Sequence, residues 1–386
     1  MNSESGNFSI LKNKSILVFQ KSGFIGGAER NLEQWAFYFQ EKYNMKISLC
    51  GPGEGPFFSL MSEKGIFCHK ISLPDWRKGK NFVRRYMTQN EIQETLSHVN
   101  CDIVFSNDFF YAPYAVHLGK KKNIPSIIHI QSDCEEKRIR QYHLDKATSV
   151  ITTTQSSYER LQTSLTKTDF FLIPCGVKDP HSSSHDRSPG QFRVKASKIS
   201  FGIAANLLPH KGLDMFFDLI LEIRDIPDWE IHWVGGDPQG RLESLKEKVR
   251  TLGLSDRVFF HGFLDKMEEF YQSIDCLVHL ADFEPFGIVL IEAMSHHCPV
   301  ISTRTNGGVE ILGDVEEGRW TTQIRDPKGM ANLMKEIIAR KESIPLLGEK
   351  FYEKFKTTYD NKKMLRKLEE VFCKMLMKQV SNSLSL

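Results

Sequence analysis

The chain has 386 residues, 40% hydrophobic and 26% charged, with a formal net charge of +3. That length exceeds one ordinary core and implies two domains, while the small net charge and the lack of arginine-rich or RNA-binding aromatic runs argue against nucleic acid as a partner. Eight cysteines occur without a C-x2-C pair and largely within apolar strand-like runs, which argues against a zinc site and for reduced thiols in a cytoplasmic compartment. The polar start, Met1 to Gly6, lacks the apolar core of a signal peptide. No apolar run approaches the roughly 18 residues of a spanning helix.

The first expected strand is Lys14 to Phe19, followed by the glycine-rich Gly23-Phe-Ile-Gly-Gly-Ala-Glu-Arg30 and a helix through Asn31 to about Glu41. Gly26 and Gly27 open that helix, where glycine permits close backbone approach and the first N–H groups lack partners. The spacing is not G-x-G-x-x-G, and the next strand ends Leu49-Cys50-Gly51 with no acidic residue for a ribose, so a dinucleotide cofactor is disfavoured. Further strands are expected at 46–50, 67–71, 103–106, 126–129, 149–153 and 171–173, with helical patterns between many of them. Such alternation predicts a parallel sheet with right-handed crossovers.

A Ser- and His-rich segment at 181–197 with one Pro-Gly pair reads as a linker. It divides a first domain, 1–180, from a second, 198–360, with a terminal helix at 361–386 that could pack back on the first domain. The second domain offers strands at 199–204, 230–234, 258–261, 276–279 and 300–302, and helices from about Lys328 onward. Two doubly wound halves imply two Rossmann-like α/β domains facing a cleft, with ligands at the carboxyl ends of the strands.

The most informative run is Phe283-Glu-Pro-Phe-Gly-Ile-Val-Leu-Ile-Glu-Ala293. Pro285 suits a first helical turn, and a helix from Phe286 to about Ser295 leaves the N–H groups of Phe286, Gly287 and Ile288 free for an anion. Glu284 and Glu292 then bracket that anion site, an arrangement suited to a nucleotide-sugar, which carries hydroxyls on both sides of its phosphates. The alternative is an amphipathic helix with solvated glutamates. After it, Pro299 to Ser302 reads as a short buried strand and Asn306-Gly307-Gly308 as a turn.

The run resembles the E-x7-E signature of family 4 retaining glycosyltransferases of the GT-B fold, and His296 to Thr303 continues the match. The resemblance implies a metal-independent enzyme with no cofactor beyond its UDP- or GDP-sugar donor, moving a hexose-type sugar to a glycan or lipid-linked hydroxyl. It implies that Glu284 contacts the transferred sugar and Glu292 the ribose. His129, ending a strand, corresponds to a histidine near the reacting carbon. Lys211, in Pro209-His-Lys-Gly212, corresponds to a lysine on the diphosphate, but the arginine usual five residues earlier is replaced by Asn206. Arg304 and Arg319 are the candidates to compensate. Gly262 and Phe263 fall where the family's backbone holds the base, and Gly26-Gly27 where it lines the donor and acceptor region. No D-x-D triplet occurs.

Basic clusters at Arg77-Lys78-Gly-Lys80 with Arg84 and Arg85, at Lys120 to Lys122, and at Lys137 to Arg140 read as solvated faces. Their alternative is peripheral contact with anionic lipid. Two other functions fit the same residues: another GT-B chemistry such as nucleotide-sugar epimerisation, or a catalytically weak nucleotide-sugar-binding protein in which Asn206 has cost the clamp its charge.

Overall fold

Short β-branched and aliphatic runs buried on both faces dictate a parallel sheet in each half of the chain. In the computed structural model, which describes residues 8–74, 76, 82–182, 198–264 and 266–384, the chain divides into two units, Met1–Cys175 with Lys362–Leu386, and Gly176–Asn361. Most of the segment expected as a linker, and the side chains of Arg77, Lys78, Lys80, Arg84 and Arg85, lie outside the described residues.

The first unit runs β1 (Ser15–Phe19), α1 (Gly27–Tyr43), β2 (Lys46–Gly51), α2 (Pro56–Glu63), β3 (Phe67–Lys70), α3 (Phe82–Thr95), β4 (Ile103–Asn107), α4 (Ala112–Lys122), β5 (Ser126–Ile130), α5 (Arg138–Gln141), β6 (Ser149–Thr152), α6 (Gln155–Gln162) and β7 (Asp169–Leu172). Its seven strands lie parallel in the order β3-β2-β1-β4-β5-β6-β7. The period-two alternation of each strand sends side chains to two cores. One gathers Ile16, Val18, Phe105 and Ile127 with Trp35 and Phe39; the other gathers Leu17, Phe19, Val104 and Ile128 with Tyr114 and Leu118.

The second unit runs β8 (Ile199–Ala204), α7 (Leu213–Ile223), β9 (Trp229–Val234), α8 (Leu242–Thr251), β10 (Val258–Gly262), α9 (Met267–Ser273), β11 (Cys276–His279), α10 (Ile288–Ser295), β12 (Val300–Thr303), α11 (Asn306–Leu312), β13 (Thr321–Thr322), α12 (Pro327–Ala339) and α13 (Ile344–Lys354). Its sheet has the order β10-β9-β8-β11-β12-β13, all parallel. Strand order reverses between β8 and β11, the switch point at which such a sheet opens a crevice. A π-helical turn, Phe355–Tyr359, leads to α14 (Asn361–Leu384). Leu368, Val371 and Phe372 of α14 join the first unit's core, and its buried Glu369 accepts hydrogen bonds from Tyr38, Lys42 and Tyr43.

Three expectations need correction. Helix α10 begins at Ile288, not Phe286, because Gly287 takes a left-handed φ of 96° and the chain turns there before the helix starts. Asn306-Gly307-Gly308 is not a turn but the first turn of α11, since the Thr305 hydroxyl accepts the Gly308 N–H at 3.0 Å and caps it. Strand β13 was not expected; two threonines give too short a pattern to read.

Candidate functional site

The loop from β11 to α10 carries Glu284 at the switch point. Leading into it, the Asp282 N–H reaches the His210 carbonyl at 2.9 Å. Gly307 donates its N–H to the Glu284 carbonyl at 2.9 Å, and a Cβ on Gly307 would lie 1.8 Å from the Phe286 carbonyl oxygen. Only glycine lets α11 approach this loop so closely.

Lys211, on the 3-10 turn after β8, places Nζ 2.7 Å from Glu284 Oε2, and His279 Nε2 lies 3.6 Å from the same oxygen. His279 Nδ1 is in turn 3.0 Å from Ser302 Oγ. Burial pushes the Glu284 carboxyl up, but hydrogen bonding to His279 and the Lys211 charge outweigh it and hold the carboxyl down at about 2. Glu284 is therefore an ionised carboxylate at any physiological pH. One turn into α10, Glu292 Oε2 accepts the Tyr271 hydroxyl at 2.7 Å. With α10 starting at Ile288, the N–H groups without intrahelical partners are those of Ile288 and Val289, while Leu290 donates to the Gly287 carbonyl. Phe286 is 4% exposed and packs edge-on to Tyr359.

Asn206 closes the other side. Its Oδ1 accepts the Gly236 N–H at 2.9 Å, which leaves its amide group as donor only, and Gly235 donates to the Gly262 carbonyl at 2.8 Å. The loops after β8, β9 and β10 are thus stitched together by backbone. Phe263, next to Gly262, is 65% exposed. Of the two arginines considered as compensation, Arg319 is committed to Glu336 at 2.6 Å, and Arg304 is exposed at the end of β12.

In the first unit Gly26 caps α1 and Gly27 begins it, as the sequence suggested. The Gly26 N–H is taken by Glu29 Oε2 at 3.1 Å, so this helix start already faces a carboxylate. Glu29 belongs to a polar chain at the strand ends: Gln20 donates to Glu29, Asn107 to Gln20, and Gln131 to Asn107. His129 is 1% exposed beside Phe105, with neither ring nitrogen bonded among the described residues. Burial drives its pKa down to about 3, so the ring is neutral.

Within the second unit, then, Lys211 and Glu284 meet directly, Asn206 joins the Gly262 side through Gly236 and Gly235, and Glu292 follows on α10. His279, Ser302 and Tyr271 were not expected. The one available signal was a histidine ending a buried strand five residues before Glu284. Among the described residues no group of three His, Cys, Asp or Glu side chains is placed to hold a metal ion, and no helix is long and apolar enough to cross a membrane.

Known structures resemble this chain over most of its length. A glycosyltransferase from Rickettsia africae superposes with a TM-score of 0.79 at 17% identity, covering 94% of this chain and 99% of its own. Anabaena HepE, solved in complex with UDP and glucose, superposes at 0.73 with 20% identity, covering 93% and 99%. The fold is GT-B. Residues 185–355, nearly all of the second GT-B unit, match the family model described as Glycosyl transferases group 1. The chain is also similar to the lipopolysaccharide core biosynthesis glycosyltransferase LpsE of Rhizobium meliloti, 31% identical over 138 residues, or 36% of this chain and 40% of that one. It is 25% identical over 182 residues to the O-antigen biosynthesis glycosyltransferase WclY of Escherichia coli, covering 47% of this chain and 48% of that one. The chain thus spans less than half the length of these curated relatives.

Proposed function

We propose that this protein is a retaining glycosyltransferase of the E-x7-E, family 4 type. It moves a hexose-type sugar from a nucleotide diphosphate donor to a hydroxyl of a glycan or lipid-linked acceptor, without a metal. The observation that carries the reading is the ionised Glu284, paired with Lys211 at the switch point of the unit that matches the group 1 glycosyltransferase model. HepE, of like fold, is described in complex with UDP-glucose, and LpsE and WclY build lipopolysaccharide core and O-antigen, which supports a nucleotide-sugar donor and a role in polysaccharide assembly.

In this reading Glu292 binds the ribose hydroxyls, with the Tyr271 hydroxyl holding one of its oxygens in place. The diphosphate meets the N–H groups of Ile288 and Val289 and the Lys211 ammonium. Glu284, held by Lys211 and His279, accepts hydrogen bonds from the sugar. The exposed Phe263 and the Gly262 backbone neighbour the base. The bond from the anomeric carbon to the diphosphate oxygen breaks, the acceptor oxygen forms its bond on the same face, and the acceptor's proton passes to the departing diphosphate.

The test is a thermal-shift screen of UDP-, GDP- and ADP-sugars with and without EDTA, followed by NMR of the product anomer. A stabilising donor that turns over in EDTA with retained configuration is the expected result. Unchanged donor-sugar hydrolysis by Glu292→Ala overturns the site, and epimerised donor without an acceptor overturns the reaction.

A further inference from the structure

The charges around Glu284 do not suffice for a diphosphate. Lys211 is already neutralised by Glu284 at 2.7 Å, and Asn206 supplies no charge. An arriving nucleoside diphosphate brings two or three negative charges to a net-neutral pair, so the site needs another cation to bind it well.

We infer that Arg304 is that cation and clamps the diphosphate together with Lys211, an assignment that rests on the nucleotide-sugar reading above. The other arginines on this side of the sheet are committed. Arg325 gives Nε and Nη2 to Asp282 Oδ2 at 2.8 and 2.6 Å, and Arg319 pairs with Glu336. Arg304 is exposed and has no acidic partner among the described residues.

Its backbone is fixed beside the Glu284 loop. The Arg304 N–H bonds the Thr322 carbonyl at 2.8 Å, anchoring it to β13. Residues on both sides of it hold the Glu284 loop: Thr303 Oγ1 donates to the Ala281 carbonyl at 2.6 Å, and Gly307 to the Glu284 carbonyl at 2.9 Å. It leaves β12 only one strand, about 4.8 Å, from β11, and the planar guanidinium at the end of its long stem is suited to two phosphate oxygens at once. The Arg241 side chain likewise has no acidic partner among the described residues, but Arg241 follows β9 on the far side of β8. Its loop is fastened through Asp237, not to the Glu284 loop. Arg241 is therefore the control.

The experiment compares dissociation constants of wild type, Arg304→Ala, Arg304→Lys and Arg241→Ala. The probes are whichever of UDP, GDP and ADP binds best and its parent nucleoside, with melting temperature confirming the fold. Arg304→Ala should weaken the nucleoside diphosphate about ten- to hundredfold and the nucleoside less than about twofold, and Arg304→Lys should recover part of the loss. A diphosphate affinity unchanged in Arg304→Ala, or a loss confined to Arg241→Ala, overturns the assignment while leaving the nucleotide site standing. Wild type that binds none of the three diphosphates overturns the site and this assignment together.

Discussion

The Lys211–Glu284 pair can be tested by a double-mutant cycle of Lys211→Met and Glu284→Gln. At 2.7 Å and an effective dielectric near 20, the gross attraction is about 6 kcal/mol. The side chains are 27% and 16% exposed, so desolvation cancels much of this, and the expected net coupling is about 1–3 kcal/mol. Acid supplies a second signature. Glu284 sits at about 2 when folded against 4.5 when free, a depressed folded value, so its contribution is complete above about pH 4.5 and is lost as pH falls through 2. The full contribution is about 3 kcal/mol. The stability advantage of wild type over Glu284→Gln should therefore shrink progressively between those limits, read from denaturant midpoints followed by tryptophan fluorescence. Coupling below about 0.5 kcal/mol at pH 7, together with the same acid profile in both proteins, would refute the reasoning.

Gly307→Ala should lower the melting temperature and abolish donor binding, because its methyl meets the Phe286 carbonyl at 1.8 Å; a variant of wild-type stability and affinity would show that the loop can simply shift. Tyr271→Phe removes the hydroxyl that holds Glu292 and should weaken nucleotide-sugar binding several-fold with turnover at saturating donor retained, as steady-state kinetics would report. Glu369→Ala leaves the Tyr38 and Tyr43 hydroxyls and the Lys42 ammonium without their shared acceptor and should cost about 2–4 kcal/mol. It should also expose α14 to limited proteolysis; cleavage no faster than wild type would place the anchorage elsewhere.

Much of this was written in short-range pattern. Apolar runs such as Ile199 to Ala204 and Cys276 to His279 were found as strands with their observed ends, because burial on both faces leaves an unbroken hydrophobic signature. The two glutamates stand out in the sequence because their spacing resembles a known motif. What stayed hidden depends on geometry that no local pattern encodes. Gly287 could equally have continued a helix, and its left-handed φ comes from the packing of Phe286 and the return of Gly307 to the Glu284 carbonyl. Asn-Gly-Gly reads as a turn until Thr305 is seen to cap the helix those residues begin. His279 and Tyr271 act on carboxylates five and twenty-one residues away, across a strand end and between two helices.

The same distinction bears on Asn206. Sequence alone presents it as a defect, an uncharged residue where the resembled family has an arginine. In the fold it has a task that an arginine cannot perform. Its side-chain carbonyl accepts the Gly236 N–H and ties the end of β8 to the loop after β9. Arginine has no acceptor, so Asn206→Arg would restore charge but release Gly236. On the Arg304 assignment, Asn206 marks an exchange rather than a loss: loop closure on the β9 side, with the positive charge supplied from the β12 side. If so, Asn206→Arg should not improve donor affinity in the wild-type background, whereas a simple missing charge predicts that it should. Calorimetric titration with the preferred nucleoside diphosphate separates the two, and a clear gain in affinity would return Asn206 to the status of a lost contact.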